Sequence, residues 1–162
     1  MAFDTYLKLA GIPGEATAEG HKDEIEVYSW SFGASNPSTI GPGSEGFGAG
    51  RVSISSFNFM KKCDKASPVL FQRCATGTHI DDATVTMRKA GGKQQPFLIY
   101  TFTGVMVDSI QWSGSTGGDD TPTESCSISF AQMKIKYQQQ DAKGNVGRPV
   151  EGGWNVQKVQ AV

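Results

Sequence analysis

The stretch ESCSISFAQMKIKY, residues 124–137, is the longest regular pattern in the sequence. Apolar side chains alternate with small ones, and Cys126, Ile128 and Phe130 share one parity. Because successive side chains of a β-strand point to opposite faces, this period of two predicts a strand with one face in the core. The other face is poor core material and suits a wet surface or a close contact. It carries Ser125, Ser127, Ser129 and Ala131.

Similar alternation recurs through most of the chain. The 20 glycines in 162 residues exceed the usual ~7% and imply many turns, including a hairpin at Gly91-Gly92. About eight strands separated by turns indicate a mainly β fold, either a β-barrel or a β-sandwich. The length fits one domain, residues 1–162. The remaining strands are predicted at Phe3–Leu9, Ile25–Phe32, Arg51–Met60, Ala83–Arg88, Phe97–Phe102, Val105–Trp112 and around Trp154–Val159.

Two segments depart from this regular pattern. Arg51–Met60 changes face in its middle, which predicts a β-bulge near Ser55 and Ser56. The segment Gly33–Gly50 is rich in Gly, Ser and Pro and is predicted to be a long loop. Loops of that length in compact domains are usually functional or disordered.

One helix is predicted between Ser67 and Gly77. Ser67 is the predicted N-cap, Pro68 the first helical residue and Gly77 the C-terminal stop. This places one short helix beside the β-strands. Its buried face would contain Val69, Leu70, Cys74 and Phe71.

Charge and hydropathy exclude several classes of protein. Fifteen basic and sixteen acidic residues give a net charge of −1, and the basic stripe of a nucleic-acid binder is missing. No apolar run approaches the ~18 residues of a membrane-spanning helix. The amino terminus lacks a basic start, so we expect no cleaved signal peptide. Cys63, Cys74 and Cys126 are odd in number and lack C-x-x-C spacing, which indicates reduced thiols in the cytosol.

The histidines do not predict a catalytic or metal site. Nucleophilic catalysis needs a nucleophile, a base and an orienting group, but the chain has only His21 and His79. His21 lies in the polar segment GHKDE and is predicted to be solvated or to cap an element. His79 precedes Asp81 and Asp82, which are more typical of a turn than of a metal site.

The remaining candidate motifs also favour a non-enzymatic protein. The glycines between residues 41 and 50 lack the G-x-x-x-x-G-K-[ST] spacing of a P-loop. Trp30, Trp112 and Trp154 are more typical of a core or an interface than of a ligand site. By elimination, the residues predict a structural or interaction protein with no catalytic residue, cofactor or metal.

Five segments, spread in order over nearly the whole chain, form a specific set of motifs. They are HKDEIEVYSWSFG (21–33), FMKKCDKASP (59–68), CATG (74–77), RKAGG (88–92) and GWN (153–155). Together they resemble the haemolysin-coregulated proteins (Hcp), the tube proteins of bacterial type VI secretion systems.

The resemblance implies a small β-barrel with a side helix that assembles into a hexameric ring around a lumen. Rings would stack into a tube, and the sheath and spike proteins of the machine would expel it on contraction. Effector proteins would be carried in the lumen, with no nucleic acid and no membrane insertion. Synthesis in the bacterial cytoplasm and secretion by the type VI system would follow.

The lumen wall is expected to include Ser31 and, less directly, Ser29. Both lie on the strand Ile25–Phe32, on the parity opposite to the aromatic residues that can supply core or subunit-interface area. A short hydroxyl side chain suits a surface that holds cargo. The aromatic residues are Tyr28, Trp30 and Phe32.

The loop Gly33–Gly50 is expected to contact an adjacent subunit or the next ring, because its composition gives it no means of burying itself. The candidate ring or stacking residues are Ser38, Gly41, Gly43, Gly46 and Phe47.

Two alternative functions remain open from the sequence. A phage-type tail-tube protein would share the fold, and a monomeric β-sandwich module would bind a small ligand instead of assembling.

Overall fold

The computed structural model describes residues 2–37, 50–91, 93–118 and 120–162. Strands dominate these residues, as the alternation predicts, and one helix accompanies them. In chain order the elements are β1 (Phe3–Leu9), β2 (Ile25–Val27), β3 (Ser29–Ser31), β4 (Ala34–Ser35), β5 (Ser53–Ile54), β6 (Phe57–Lys62), α1 (Ser67–Thr76), β7 (Ile80–Lys89), β8 (Pro96–Ser113), β9 (Thr123–Tyr137), β10 (Val150–Asn155) and β11 (Gln160–Ala161).

Nine of the strands form one antiparallel sheet. Its main path runs β11-β10-β9-β8-β7-β1-β2, while β6 pairs with both β9 and β3. Strands β4 and β5 form a separate two-stranded ribbon. The predicted hairpin turn is confirmed between β7 and β8, where Gly91 has a φ of +86°.

Strand pairing does not close this sheet into the predicted barrel. Strand β2 pairs with β1 and β3 pairs with β6, but Tyr28 separates β2 from β3. The Tyr28 N–H donates a hydrogen bond to the Met60 carbonyl at 2.9 Å. In the described part of the chain the ladder is therefore interrupted at this residue.

The same interruption changes which side chains face the core. Ile25 and Val27 are buried before Tyr28, and Trp30 and Phe32 pack against the core after it. Tyr28 itself is 58% exposed. The prediction that Tyr28 shares a face with Trp30 and Phe32 is therefore wrong, because the chain changes parity at Tyr28.

The predicted strand Arg51–Met60 is also two strands. Strand β5 pairs with β4 in the ribbon, whereas β6 pairs with β3 and β9 in the main sheet. Ser55 and Ser56 connect them, and Ser55 bonds back to Gly33 through its N–H. The bulge predicted near Ser55 and Ser56 is therefore wrong. The side chains change face there because the chain leaves the β4–β5 ribbon and enters the main sheet.

Conversely, two predicted strands are the single strand β8. Gly104 stands in its middle with a φ of +66°, a value that glycine adopts without strain. A Cβ at this position would lie 3.0 Å from the Ala131 Cβ of β9. Glycine thus marks a close approach of two strands here and not a strand end.

Two of the three features predicted for helix α1 are confirmed. Pro68 lies in its first turn, and Gly77 ends it in the left-handed conformation at a φ of +65°. The predicted N-cap is wrong: Ala66 occupies that position, and Ser67 is already helical. The Ser67 hydroxyl instead accepts a hydrogen bond from the Asp64 N–H at 3.0 Å.

The helix buries a narrower face than the sequence predicts. Leu70 is fully buried, whereas Val69 and Cys74 are half-buried against the core. Phe71 is 49% exposed and packs against Trp112, with 5.7 Å between ring centroids.

Aromatic side chains from the sheet form the centre of the core. Phe57 and Phe102 are fully buried with their ring centroids 5.4 Å apart, and Trp30 and Phe32 cover them from β3 and its end. Such contacts add to the stabilisation from apolar burial. The core therefore fixes which face of β3, β6, β8 and β9 is left outside.

Candidate functional site

Four adjacent strands, β3, β6, β9 and β8, turn small polar side chains away from the core. We call this surface the serine face. It consists of Ser29, Ser31, Asn58, Met60, Asp108, Ser109, Gln111, Ser125, Ser127 and Ser129. These residues are exposed or half-buried, and they alternate along their strands with core residues.

Strand register brings residues that are distant in sequence side by side. In one line across the strands, Ser31 is opposite Asn58, Asn58 opposite Ser127, and Ser127 opposite Ser109. In the next line, Ser29, Met60, Ser125 and Gln111 follow one another in the same way. Residues directly opposite have Cβ atoms about 4.5–5.5 Å apart, so each line is a continuous surface.

Asp108 supplies the one carboxylate of the serine face. It lies at an irregularity in the β8–β9 register between Val107 and Ser109. Its two carboxylate oxygens accept hydrogen bonds from the Ser56 hydroxyl at 2.9 Å and the Ser129 hydroxyl at 2.8 Å. Both oxygens are thus engaged by the protein's own side chains.

The two predicted lumen residues both belong to this surface. Ser29 and Ser31 are exposed, while Trp30 between them packs against the core. Their position on a lumen wall stays a prediction. The sequence also marked the serines of β9 as a small hydroxylated face, but it missed Asn58 and Asp108. Only the folded structure brings Asn58 beside Ser31 and Asp108 beside Ser129.

The five candidate residues of the loop, Ser38, Gly41, Gly43, Gly46 and Phe47, lie outside the described residues. The described residues on either side of them meet. The Gly50 N–H donates a hydrogen bond to the Pro37 carbonyl at 2.9 Å, next to the β4–β5 ribbon.

A buried ionic cluster lies on the core side of β6 and β9. Lys61 and Glu124 are fully buried, and the Lys61 Nζ lies 2.6 Å from a Glu124 carboxylate oxygen. The same Nζ lies 2.8 Å from an Asp64 oxygen and donates to the Ser67 hydroxyl at 3.0 Å. The Trp112 indole N–H and the Cys63 thiol donate to the other Glu124 oxygen.

The contacts within the cluster favour the charged forms of Lys61 and Glu124. Burial on its own would raise the pKa of Glu124, but hydrogen bonds from Lys61, Ser67 and Trp112 and the charge of Lys61 outweigh it and lower that pKa. Burial would likewise lower the pKa of Lys61, yet the bonds and charges of Asp64 and Glu124 raise it. Lys61 pairs with both carboxylates, and Lys61 and Glu124 are fully buried, so the cluster has a structural role.

Sequence reasoning missed this cluster, although a signal was present. Lys61 continues the parity of Phe57 and Phe59, and Glu124 continues the parity of Cys126 and Ile128. A basic and an acidic residue on two core-facing parities are the mark of a buried pair, because buried charges need partners.

The structure corrects the predictions made around both histidines. His21 is not solvated: its ring stacks on Tyr6 with centroids 4.4 Å apart, and its Nδ1 lies 2.8 Å from a Glu24 oxygen. The turn predicted at Asp81 and Asp82 is wrong, because both residues belong to strand β7; they and His79 are exposed. Within the described ranges, no three His, Cys, Asp or Glu side chains are grouped so as to hold a metal ion.

No helix in the described part of the chain has the length and hydropathy to cross a membrane.

Comparison with protein families gives a match over most of the chain. Residues 6–137 match the model of the family described as "Type VI secretion system effector, Hcp". Protein Hcp1 of Pseudomonas aeruginosa is 42% identical over 164 residues, which cover 99% of this chain and 100% of that protein.

Solved structures share the fold. One, of a type six secretion system protein, superposes with a TM-score of 0.96 at 33% identity, covering 99% of this chain and 100% of that one. Hcp1 from Salmonella typhimurium superposes with a TM-score of 0.79 at 34% identity over the full length of both chains. A type VI secretion system effector from Yersinia pestis gives 0.77 at 28% identity, covering 94% of this chain and 100% of that one.

Proposed function

Since the chain belongs to the Hcp family of type VI secretion proteins, we propose that it is the ring-forming subunit of the secretion tube, with residues 1–162 acting as one tube domain. Six copies would form a ring, and rings would stack into the tube that sheath contraction and the spike complex carry out of the cell. Its role is assembly and transport, and none of the relatives named above is described as an enzyme.

The serine face is the observation that carries this proposal. A folded chain gains little by placing small hydroxyl side chains across four neighbouring strands, because they bury little apolar area. As the wall of a lumen, however, such a surface stays wet and holds cargo without trapping it. We therefore assign Ser31 and Ser29 to the lumen wall, with effector proteins as the cargo.

Sheet edges support self-assembly. The short strand β11 ends one side of the main sheet, and the β4–β5 ribbon stands apart from it. Exposed edges invite pairing with other chains, and closed cyclic assembly satisfies them without uncontrolled growth. In this proposal the chain is made in the bacterial cytoplasm and leaves the cell through the type VI secretion machine.

The oligomeric state tests the proposal directly. Light scattering on the purified protein at micromolar concentration should give the mass of a hexamer, and negative-stain microscopy should show annular particles. A monomeric mass without annular particles would contradict the tube function.

Ser31 gives a test of the cargo role. Replacing Ser31→Gln puts a longer amide on the exposed side of β3, where the side chain does not touch the core, so rings should still form. We expect loss of retention of at least one co-expressed effector, measured by co-purification with the rings.

The matched control is Ser53→Gln, the same change at an exposed serine of β5, outside the serine face. It should retain effectors normally. If Ser31→Gln rings bind every effector as the unmodified protein does, Ser31 is not a cargo contact.

A further inference from the structure

We infer that Met60 determines which cargo the serine face holds, and that the matching cargo surface is an uncharged patch of protein with exposed apolar side chains. This inference rests on the proposed function, in which the serine face meets cargo.

Met60 is the large apolar side chain of the serine face, and it is 42% exposed. Its neighbours across the strands are Ser29 on β3 and Ser125 on β9. Because these side chains are shorter, they cannot cover the thioether, which stands above the surrounding hydroxyls. Met106, opposite Ser129 at the margin, is half-buried and reaches toward Gly77 instead.

The charges at this surface have partners within the protein. Both oxygens of Asp108 accept serine hydroxyl groups. Lys62, on β6 beyond Met60, has its Nζ 5.7 Å from the centre of the Tyr28 ring. The two charges have opposite signs, so together they give this surface no excess of positive or negative charge. Cargo recognition at this surface therefore depends on neutral hydrogen bonds and on apolar contact with Met60.

A methionine suits a surface that must accept different partners. Its unbranched side chain has three rotatable bonds and a polarisable sulfur, so it adapts to partner surfaces of different shape. Hydroxyl groups around it give and accept hydrogen bonds without fixing one geometry. We thus expect this surface to select cargo that exposes apolar side chains and to accept cargo surfaces of different shapes.

The test uses purified rings and three labelled twelve-residue peptides of alternating serine and a second residue. The second residue is leucine, lysine or glutamate. Fluorescence anisotropy should show the leucine peptide binding at least about fivefold more tightly than either charged peptide, the factor that corresponds to ~1 kcal/mol. Its affinity should change by less than about twofold between 0.05 and 0.5 M NaCl, because salt screens charges and not apolar contacts.

Substitutions at Met60 locate the effect. Met60→Thr should abolish the preference for the leucine peptide, since threonine keeps the strand propensity but removes the apolar side chain, while Met60→Leu should preserve it. The control Val150→Thr makes the same kind of change at a residue that is 69% exposed on β10 and should have no effect.

Three results would overturn the inference: no binding of the leucine peptide up to concentrations on the order of 1 mM, tighter binding of a charged peptide, or an unchanged leucine preference in Met60→Thr. Microscopy of the same samples separates this outcome from failure of the tube proposal, which would appear as the absence of annular particles.

Discussion

At the scale of single residues, the pair Lys61 and Glu124 stands out because two charges lie where the alternation places core residues. They are directly opposite in the β6–β9 register. Removing two charges from water costs free energy, and their mutual attraction offsets that cost only while both charges are present. The pair therefore fixes the register of β6 against β9 more than it adds stability.

Replacing Lys61→Met should destabilise the fold by about 3–5 kcal/mol, because it leaves Glu124 buried without a counter-ion. The double variant Lys61→Met with Glu124→Leu should recover much of that loss, since neither charge then remains buried. Chemical denaturation measures both free energies of unfolding.

The control for this pair is Lys62→Met, a change at the neighbouring, half-buried lysine whose Nζ lies near the Tyr28 ring. It should cost less than about 1 kcal/mol. A double variant as unstable as Lys61→Met alone would show that the loss arises from packing and not from an unpaired charge.

Residue-level prediction from the sequence succeeded where a side chain's polarity agrees with its surroundings. Phe57, Phe59 and Ile128 are buried as their alternation predicts. It failed at His21, which was predicted to be solvated or to cap an element although its ring stacks on Tyr6. It made no prediction for Lys61, whose buried partner Glu124 is distant in sequence.

At the scale of elements, glycine residues have two different structural roles in this chain. Gly77 ends helix α1, as predicted, whereas Gly104 lets β8 continue past a close approach to β9. Both have a positive φ, so the local sequence does not tell whether a glycine ends an element or lies within a continuous one. Strand pairing on either side of Gly104 makes that distinction.

Replacing Gly104→Ala should destabilise the fold by about 1–3 kcal/mol, because alanine is strained at a φ of +66° and its methyl group would meet the Ala131 Cβ. Thermal and urea denaturation should both report the loss. Gly152→Ala on β10 is the control: an added Cβ there meets no atom within 4 Å, so its effect should be within about 0.5 kcal/mol. Equal stability of the two variants would contradict this account.

Element types were predictable, and so were the bounds of β1 and, to within one residue, of β9, but the points at which a strand breaks were not. Alternation predicts strands over β1, β6, β7 and β9, and these strands are present. The breaks at Tyr28 and at Ser55–Ser56 escaped prediction because each arises where the chain passes from one pairing partner to another.

At the scale of the whole molecule, the serine face could not be derived from the sequence pattern alone. Each strand shows its small side chains, but only the order β3-β6-β9-β8 makes them one surface. The family resemblance supplied the tube function, and the register supplied the extent of the candidate site.

At this scale, shortening the loop from Gly33 to Gly50 tests whether the loop takes part in assembly. Deleting Ser38–Gly46 should leave the fold intact, because Pro37 and Gly50 are already hydrogen-bonded beside the β4–β5 ribbon and three residues remain to connect them. We expect weaker ring stacking or lower secretion, measured by microscopy and by the amount of protein in the culture medium. Unchanged rings, tubes and secretion would refute a contact role for Ser38, Gly41, Gly43 and Gly46.

The long β8–β9 hairpin has a mechanical consequence. The two strands pair from Leu98 opposite Tyr137 to Ser113 opposite Thr123. Their hydrogen bonds lie across the strand direction, so tension along the strands loads the ladder in shear and many bonds must break together. The β10–β11 edge, paired only at Trp154 and Asn155, would peel open under a far smaller force. Under a load along the strands, the β8–β9 hairpin is thus the stiff part of the molecule, and the β10–β11 margin is the part that yields first.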